Sequence, residues 1–146
     1  MSLLEKQWEI LLVDDNPADA DLFEMALRET DDAHIRIWRA GDGKEALDFL
    51  YRRMRHADAP RPDLVFLDLN LPIIDGRQVL ETVKRDTDLA DIPIVVLSTS
   101  RASTDITLCY KHGANSYLVK PADLDLLLEM MRTCSKYWFH TAVLHF

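Results

Sequence analysis

Six residues with chemistry to offer stand at the ends of four apolar runs. Asp14 and Asp15 follow Ile10-Leu11-Leu12-Val13, and Asp68 follows Leu64-Val65-Phe66-Leu67. Ser98 and Thr99 follow Ile94-Val95-Val96-Leu97, and Lys120 follows Ser116-Tyr117-Leu118-Val119. Taken singly, each acid reads as a solvated loop residue. Taken together in one crevice, three carboxylates cannot all stay ionised without a compensating cation. Hard oxygen ligands of this kind suit Mg²⁺, which takes one or two carboxylates and keeps several waters. A lysine and a hydroxyl opposite the metal are what the oxygens of a phosphoryl group require. The set holds no His, Cys or Ser-His pair, so its good covalent nucleophile is a carboxylate. The chemistry that follows is a metal-assisted acyl phosphate on an aspartate.

For those residues to meet, the runs must be parallel strands whose carboxyl ends share one edge. Short apolar runs without alternation are the pattern of strands buried on both faces. A further strand is expected at Ile35, Ile37 and Trp38, where alternation marks a sheet edge. Between the strands lie helical patterns. Asn16 and Pro17 suit an N-cap and first turn, ahead of Ala20, Phe23, Ala26 and Leu27. Gly41-Asp42-Gly43 turns into Ala46, Leu47 and Leu50, and Pro72 with Asp75-Gly76 turns into Val79, Leu80 and Val83. Ile106, Cys109 and Tyr110 mark a fourth helix, and Leu124, Leu127, Leu128, Met131 and Cys134 a fifth. Five strands alternating with five helices predict right-handed βαβ units. The fold expected is α/β, a flavodoxin-like doubly wound five-stranded parallel sheet of order 2-1-3-4-5, with its ligand crevice beside strands 1 and 3.

Composition narrows the function. A chain of 146 residues with 48% apolar content fits one globular domain. A net charge of −8 argues against a nucleic-acid surface, because phosphate contacts need clustered Lys and Arg. The one basic cluster, Arg52-Arg53-Met54-Arg55, falls at a helix end that favours cations anyway. No apolar run approaches ~18 residues, so no membrane span is expected. Cys109 and Cys134 lack ligand or CxxC spacing and read as buried, reduced thiols, compatible with a cytoplasmic protein.

The sequence resembles the receiver domain of two-component response regulators. The resemblance is carried by Leu12-Val13-Asp14-Asp15-Asn16, Leu67-Asp68-Leu69-Asn70-Leu71-Pro72 with Asp75-Gly76, Leu97-Ser98-Thr99 and Val119-Lys120-Pro121. It implies that Asp68 accepts a phosphoryl group from a histidine kinase. It implies that Asp15, Asp68 and the Asn70 main-chain carbonyl hold Mg²⁺, with Asp14 acting through water. Ser98 would be the family's hydroxyl, with Thr99 beside it, and Lys120 would pair with phosphoryl oxygens. The Lys120-Pro121 peptide would be cis. Tyr117 matches the aromatic switch position, which swings inward as Ser98 moves to the phosphate. The competing readings are a half-buried strand aromatic for Tyr117 and a solvated strand end for Lys120. Asn16-Pro17-Ala18-Asp19, Ala46-Leu47-Asp48-Phe49-Leu50, Leu97-Ser98-Thr99-Ser100 and Tyr137-Trp138-Phe139 narrow the resemblance to stand-alone regulators of bacterial phytochrome kinases.

An aspartyl-phosphate enzyme of the haloacid dehalogenase type is the main rival. It would need a second acid two residues after the nucleophile, where this chain has Asn70, and a cap insertion, which is missing. A flavodoxin-like nucleotide or flavin binder would need a phosphate loop after strand 1, which Asp14-Asp15 would repel. A degenerate receiver would have lost part of the set. The expectation is therefore a switch with slow self-dephosphorylation, not a turnover enzyme, whose signal leaves through contacts with an unidentified downstream protein. By this reading residues 1–9 are an N-terminal extension, 10–136 the receiver, with no attached output domain, and 137–146 an aromatic tail. That tail holds more apolar surface than a monomer normally leaves in water. It either folds back over its own domain or joins a homodimer across the fourth helix, fifth strand and final helix, and the dimer is preferred.

Overall fold

The computed structural model describes residues 7–29 and 34–144. Strands β1 (Gln7–Val13), β2 (His34–Ala40), β3 (Leu64–Leu67), β4 (Ile94–Ser98) and β5 (Ser116–Val119) alternate with five helices. These are α1 (Pro17–Glu29), α2 (Gly43–Tyr51), α3 (Gly76–Arg85), α4 (Ser103–Lys111) and α5 (Leu124–His140), with a 3₁₀ turn at Met54–His56. All neighbouring strands pair in parallel, in the order β2-β1-β3-β4-β5. This is the expected doubly wound sheet, and β2 is the edge strand its alternation predicts.

Successive strand residues point to opposite faces, and both faces are apolar. Leu11, Val13, Val65, Leu67 and Val96 pack with Ala46 and Phe49 of α2, Val79, Leu80 and Val83 of α3, and Cys109 of α4. On the other face Ile10, Leu12, Phe66, Val95 and Leu97 meet Ala20, Phe23, Ala26 and Leu27 of α1 and Met131 and Cys134 of α5. Four helices begin at polar caps. Asn16 accepts from the amides of Ala18 and Asp19, Asp42 from Glu45, Asp75 from Arg77 and Asp123 from Asp125. Such caps satisfy amides that the first helical turn leaves free. Helix α4 starts after Ala102, without a side-chain cap.

Two boundaries differ from the sequence reading. Strand β1 begins at Gln7, so residues 7–9 belong to the sheet, and Trp8 is buried; residues 1–6 lie outside the described ones. At the other end α5 runs on through Tyr137, Trp138 and Phe139. Phe139 and Leu144 are buried in the core on the α1/α5 face, and the Phe139 ring lies 5.3 Å from that of Trp8. The two deviations share one cause, because each aromatic needs the other to cover it. The apolar residues of the tail are thus partly spent on the chain's own domain, although Tyr137 and Val143 stay exposed. Phe146 lies outside the described residues.

Phe139→Ala is expected to destabilise the fold by about 3 kcal/mol, the scale of emptying a buried aromatic site. Urea denaturation at two protein concentrations checks this. A midpoint loss independent of concentration is the expected outcome, and a loss that vanishes on dilution would place Phe139 in an intermolecular contact instead.

Candidate functional site

The carboxyl ends of β1, β3, β4 and β5 converge as predicted, and Lys120 stands at the centre. Its ammonium lies 2.9 Å from Asp14 Oδ2 and 3.1 Å from Asp68 Oδ2. Backbone ties fix the loops that carry these groups: the Asp68 amide donates to Val13 O, the Asp14 amide to Ala40 O and the Lys120 amide to Ser98 O. Asp14 and Asp68 are buried, whereas Asp15 is exposed. Oxygens of Asp14, Asp15 and Asp68 all lie within 4.8 Å of one another.

Charges crowded in this way move one another's titration. Burial, the largest influence on Asp68, pushes its carboxyl above the ordinary value, and the charge of Asp14 adds to that; Lys120 opposes both and does not fully compensate. Burial would lower the Lys120 ammonium, but the Asp14 hydrogen bond and the charges of Asp68 and Asp14 outweigh it and raise it. The two directions pull against each other across one ion pair. The reason is stoichiometric, since one ammonium serves two buried acids. Lys120 is firmly protonated, and the pair of acids remains short of positive charge.

The donor set fits a hard divalent cation. Both Asp14 oxygens are engaged, one by Lys120 and one by the Asn16 amide. Asp15, by contrast, makes no hydrogen bond or ion pair among the described residues and is free to offer an oxygen. Asn70 follows Asp68 in the same loop, and its amide reaches Asp68 Oδ1 at 3.4 Å.

The β3–α3 loop that presents Asp68 is held by close backbone packing. A Cβ on Gly76 would come within 2.2 Å of the Asp68 carbonyl oxygen, and one on Gly43 within 1.8 Å of the Ile74 carbonyl oxygen. Both helix starts therefore need glycine at these points. Between them Ile73 adopts φ +70°, and the Ile74 amide bonds back to Pro72 O. A β-branched residue in this region is strained by about 1–2 kcal/mol. The Ile73 side chain is 74% exposed.

Ser98 is fully buried, and its hydroxyl oxygen accepts from the Ser100 amide. Thr99 is exposed and lines a cleft of about 280 Å³ with Asp14, Asp19, Leu22, Lys120 and Pro121. Tyr117 lies inward, with its ring against the core and its phenol donating to Ser100 O at 2.9 Å. The Tyr117 amide, on the outer edge of the sheet, donates to the Tyr110 phenol of α4 at 3.1 Å. One expectation is corrected. The Lys120-Pro121 peptide is trans. The trans isomer is favoured by about 0.5–1 kcal/mol at X-Pro bonds, and Lys120 reaches both acids without leaving it. Sequence reasoning missed Asp19, whose Oδ2 lies 3.6 Å from the Lys120 ammonium. It also missed Asp105 and Arg77, which no local pattern distinguishes from surface polar residues, and it gave Ser100 no role beyond its place in the Leu97-Ser98-Thr99-Ser100 run.

With this geometry in hand, comparison with known proteins gives the family. Residues 10–132 match the response regulator receiver domain, and the chain belongs to that family. It is 40% identical over 136 residues to the response regulator Rcp1 of Synechocystis sp., covering 92% of this chain and 91% of that protein. A probable methanogenesis regulatory protein, FilR2 of Methanothrix harundinacea, is also 40% identical, over 134 residues, covering 92% of this chain and 85% of that protein. Among solved structures, the phosphorylated cyanobacterial phytochrome response regulator RcpA superposes with TM-score 0.91 at 40% identity, covering 95% of this chain and 99% of its own. The Mn²⁺-bound form of Rcp1 does so with TM-score 0.89 at 37% identity, with the same coverage.

Asp68→Asn is expected to stabilise the metal-free protein at neutral pH, by about 1 kcal/mol, a common size for a single substitution. The sign follows from linkage. A carboxyl raised in the fold costs stability where it is ionised, above its folded pKa, and costs nothing where both states are protonated. The gain should therefore fade as pH falls towards the ordinary Asp value of 3.8. Melting curves of both proteins with chelator, from pH 3 to about pH 7, check it.

Proposed function

We propose that this chain is a phosphorylation-controlled response regulator in which Asp68 takes a phosphoryl group from a histidine kinase, with Mg²⁺, and the signal passes on through protein contacts. The observation that carries this reading is the pairing of the buried Asp68 carboxylate with Lys120 at 3.1 Å, beside Asp14 and Asp15. An Asp68 oxygen forms the new P–O bond as the P–N bond of phosphohistidine breaks. The departing imidazole keeps the electron pair and takes up a proton. Lys120 would balance the charge of the phosphoryl oxygens, and the Ser98 hydroxyl, whose oxygen accepts from the Ser100 amide, makes no donated hydrogen bond among the described residues. Asp15, Asp68 and the Asn70 carbonyl would hold Mg²⁺ directly and Asp14 through water; the cation supplies neutralising charge. The manganese-bound form of the relative Rcp1 supports a divalent ion. Asn70 cannot serve as a general base as a carboxylate would, in keeping with a slow switch and not a turnover enzyme.

The kinase is proposed to be of the phytochrome type, on the likeness to the phytochrome response regulator RcpA. Among the described residues no helix is long and apolar enough to cross a membrane. The free, buried Cys109 and Cys134 suit the cytoplasm proposed for the protein. A homodimer across α4, β5 and α5 is proposed as well. Leu108 and Tyr110 on α4 and Leu124, Leu126 and Tyr137 on α5 remain exposed, and an isologous contact would bury both copies.

Phosphotransfer from a purified phytochrome-type kinase, or labelling by acetyl phosphate with Mg²⁺, tests the central reading. Asp68→Asn should abolish labelling, and Asp15→Ala should remove both its Mg²⁺ dependence and the thermal stabilisation by Mg²⁺. Stoichiometric labelling of Asp68→Asn would overturn the assignment. Sedimentation of the full chain tests the dimer, which a monomer at micromolar concentration, phosphorylated or not, would rule out.

A further inference from the structure

The β4–α4 loop is tied to its surroundings at one residue, through three separate atoms. The Ser100 amide donates to Ser98 Oγ at 3.1 Å, its hydroxyl donates to Asp105 Oδ2 at 2.6 Å, and its carbonyl accepts from the Tyr117 phenol at 2.9 Å. Asp105, in the first turn of α4, is held in turn by Arg77 of α3, whose Nη2 donates to Asp105 Oδ1 at 2.9 Å. The same guanidinium reaches Asp75, the N-cap of α3, at 3.2 Å. Arg77 thus spans the starts of two helices, and with side chains 28% and 24% exposed its pair with Asp105 is partly shielded from water. Shielded, charge-assisted bonds of this kind are stronger than surface ion pairs. The titration directions agree: the bond from Ser100 first, then that from Arg77, lowers Asp105, while Asp105 leads the causes that raise Arg77.

Elsewhere helix α4 is fixed by few buried contacts, with the Tyr110 phenol accepting from the Tyr117 amide. Cys109 is its one buried residue, and Ala102 gives it no side-chain cap. Elements with few buried contacts open at the lowest free energy, and switching elements are drawn from them. A group that holds α4 at its start therefore has leverage on its position.

We propose that Arg77, Asp105 and Ser100 form a latch that positions the β4–α4 loop and, through the Ser100 carbonyl, holds the Tyr117 ring inward and α4 in place. These are positioning residues; none touches the reacting atoms. Within signalling the proposal rests on Asp68 being the phosphoryl acceptor. A pull on the Ser98 hydroxyl towards Asp68 is transmitted to Ser100, whose other bonds lead to α4 and Tyr117. The strength of the latch then sets how much of that pull reaches the surface of α4. The latch itself is a property of the unmodified chain.

Fluorine NMR of the full chain labelled with 3-fluorotyrosine tests it. The chain has four tyrosines, and the signal lost in Tyr117→Phe assigns the one required. The solvent isotope shift at that fluorine reports ring exposure. In unmodified protein, Arg77→Ala and Ser100→Ala should each lower the inward-to-outward ratio of Tyr117 about fivefold, the scale of one ordinary hydrogen bond. Arg77→Lys should recover part of it, because an ammonium can still reach Asp105. Should Arg77→Ala fail to fold, Ser100→Ala, which removes a single oxygen, decides. An unchanged Tyr117 signal in the folded variants overturns the latch. Acetyl phosphate labelling is scored separately: a wild type that does not label at Asp68 sinks the acceptor reading and leaves the Tyr117 result standing.

Discussion

One ammonium between two buried carboxylates is the constraint on which the site depends. Lys120 reaches Asp14 and Asp68 at 2.9 and 3.1 Å because β1, β3 and β5 end at one edge, as their parallel order requires. Removing a lone buried cation from such a cluster would leave two uncompensated acids, which is far costlier than losing a surface pair. The arrangement is also left unfinished. Asp68 is pushed upward although it touches a lysine, and Asp15 has no partner among the described residues. A site with surplus negative charge and an unused oxygen fits a divalent cation. The fold holds the acids in a state that a bound cation or a proton relieves.

Holding them so requires rigid support. Gly76 lets the start of α3 press on the Asp68 backbone, and Gly43 lets the start of α2 press on Ile74 at the far end of the same loop, closer than any side chain would allow. The strain at Ile73 is the local cost of that tight loop, and it is tolerated because packing on both sides over-determines the loop's path. The regions beyond β4 are built in the opposite manner. Helix α4 rests on one buried cysteine and a set of polar ties, so the two halves of the site differ in stiffness. Asp68 sits on the stiff half and helix α4 on the loose one.

Much of this was legible in the sequence. Strands buried on both faces leave unbroken apolar runs, and the residue after each run must fall at the sheet edge. Asp14, Asp15, Asp68, Ser98, Thr99 and Lys120 could therefore be placed together without coordinates. Asn16 and Asp75 could be read as caps for a similar local reason. The chain ends could not. Gln7 and Glu9 interrupt the apolar pattern of β1, and Phe139 looks surplus until its partner, Trp8, is known from the far end of the chain. The trans Lys120-Pro121 peptide departs from what family resemblance implied. Arg77, Asp105 and Ser100 left no periodic signal, because polar ties between loops follow from tertiary placement and not from spacing.

Tyr110 contributes a different property. Strand β5 closes the sheet, and an outermost strand normally offers its free amides to any extended peptide that comes near. Here the Tyr117 amide is already occupied by a phenol from the chain's own helix. An incoming strand would have to displace that oxygen before it could align. At this point of the edge the backbone is thereby closed to pairing with a further strand.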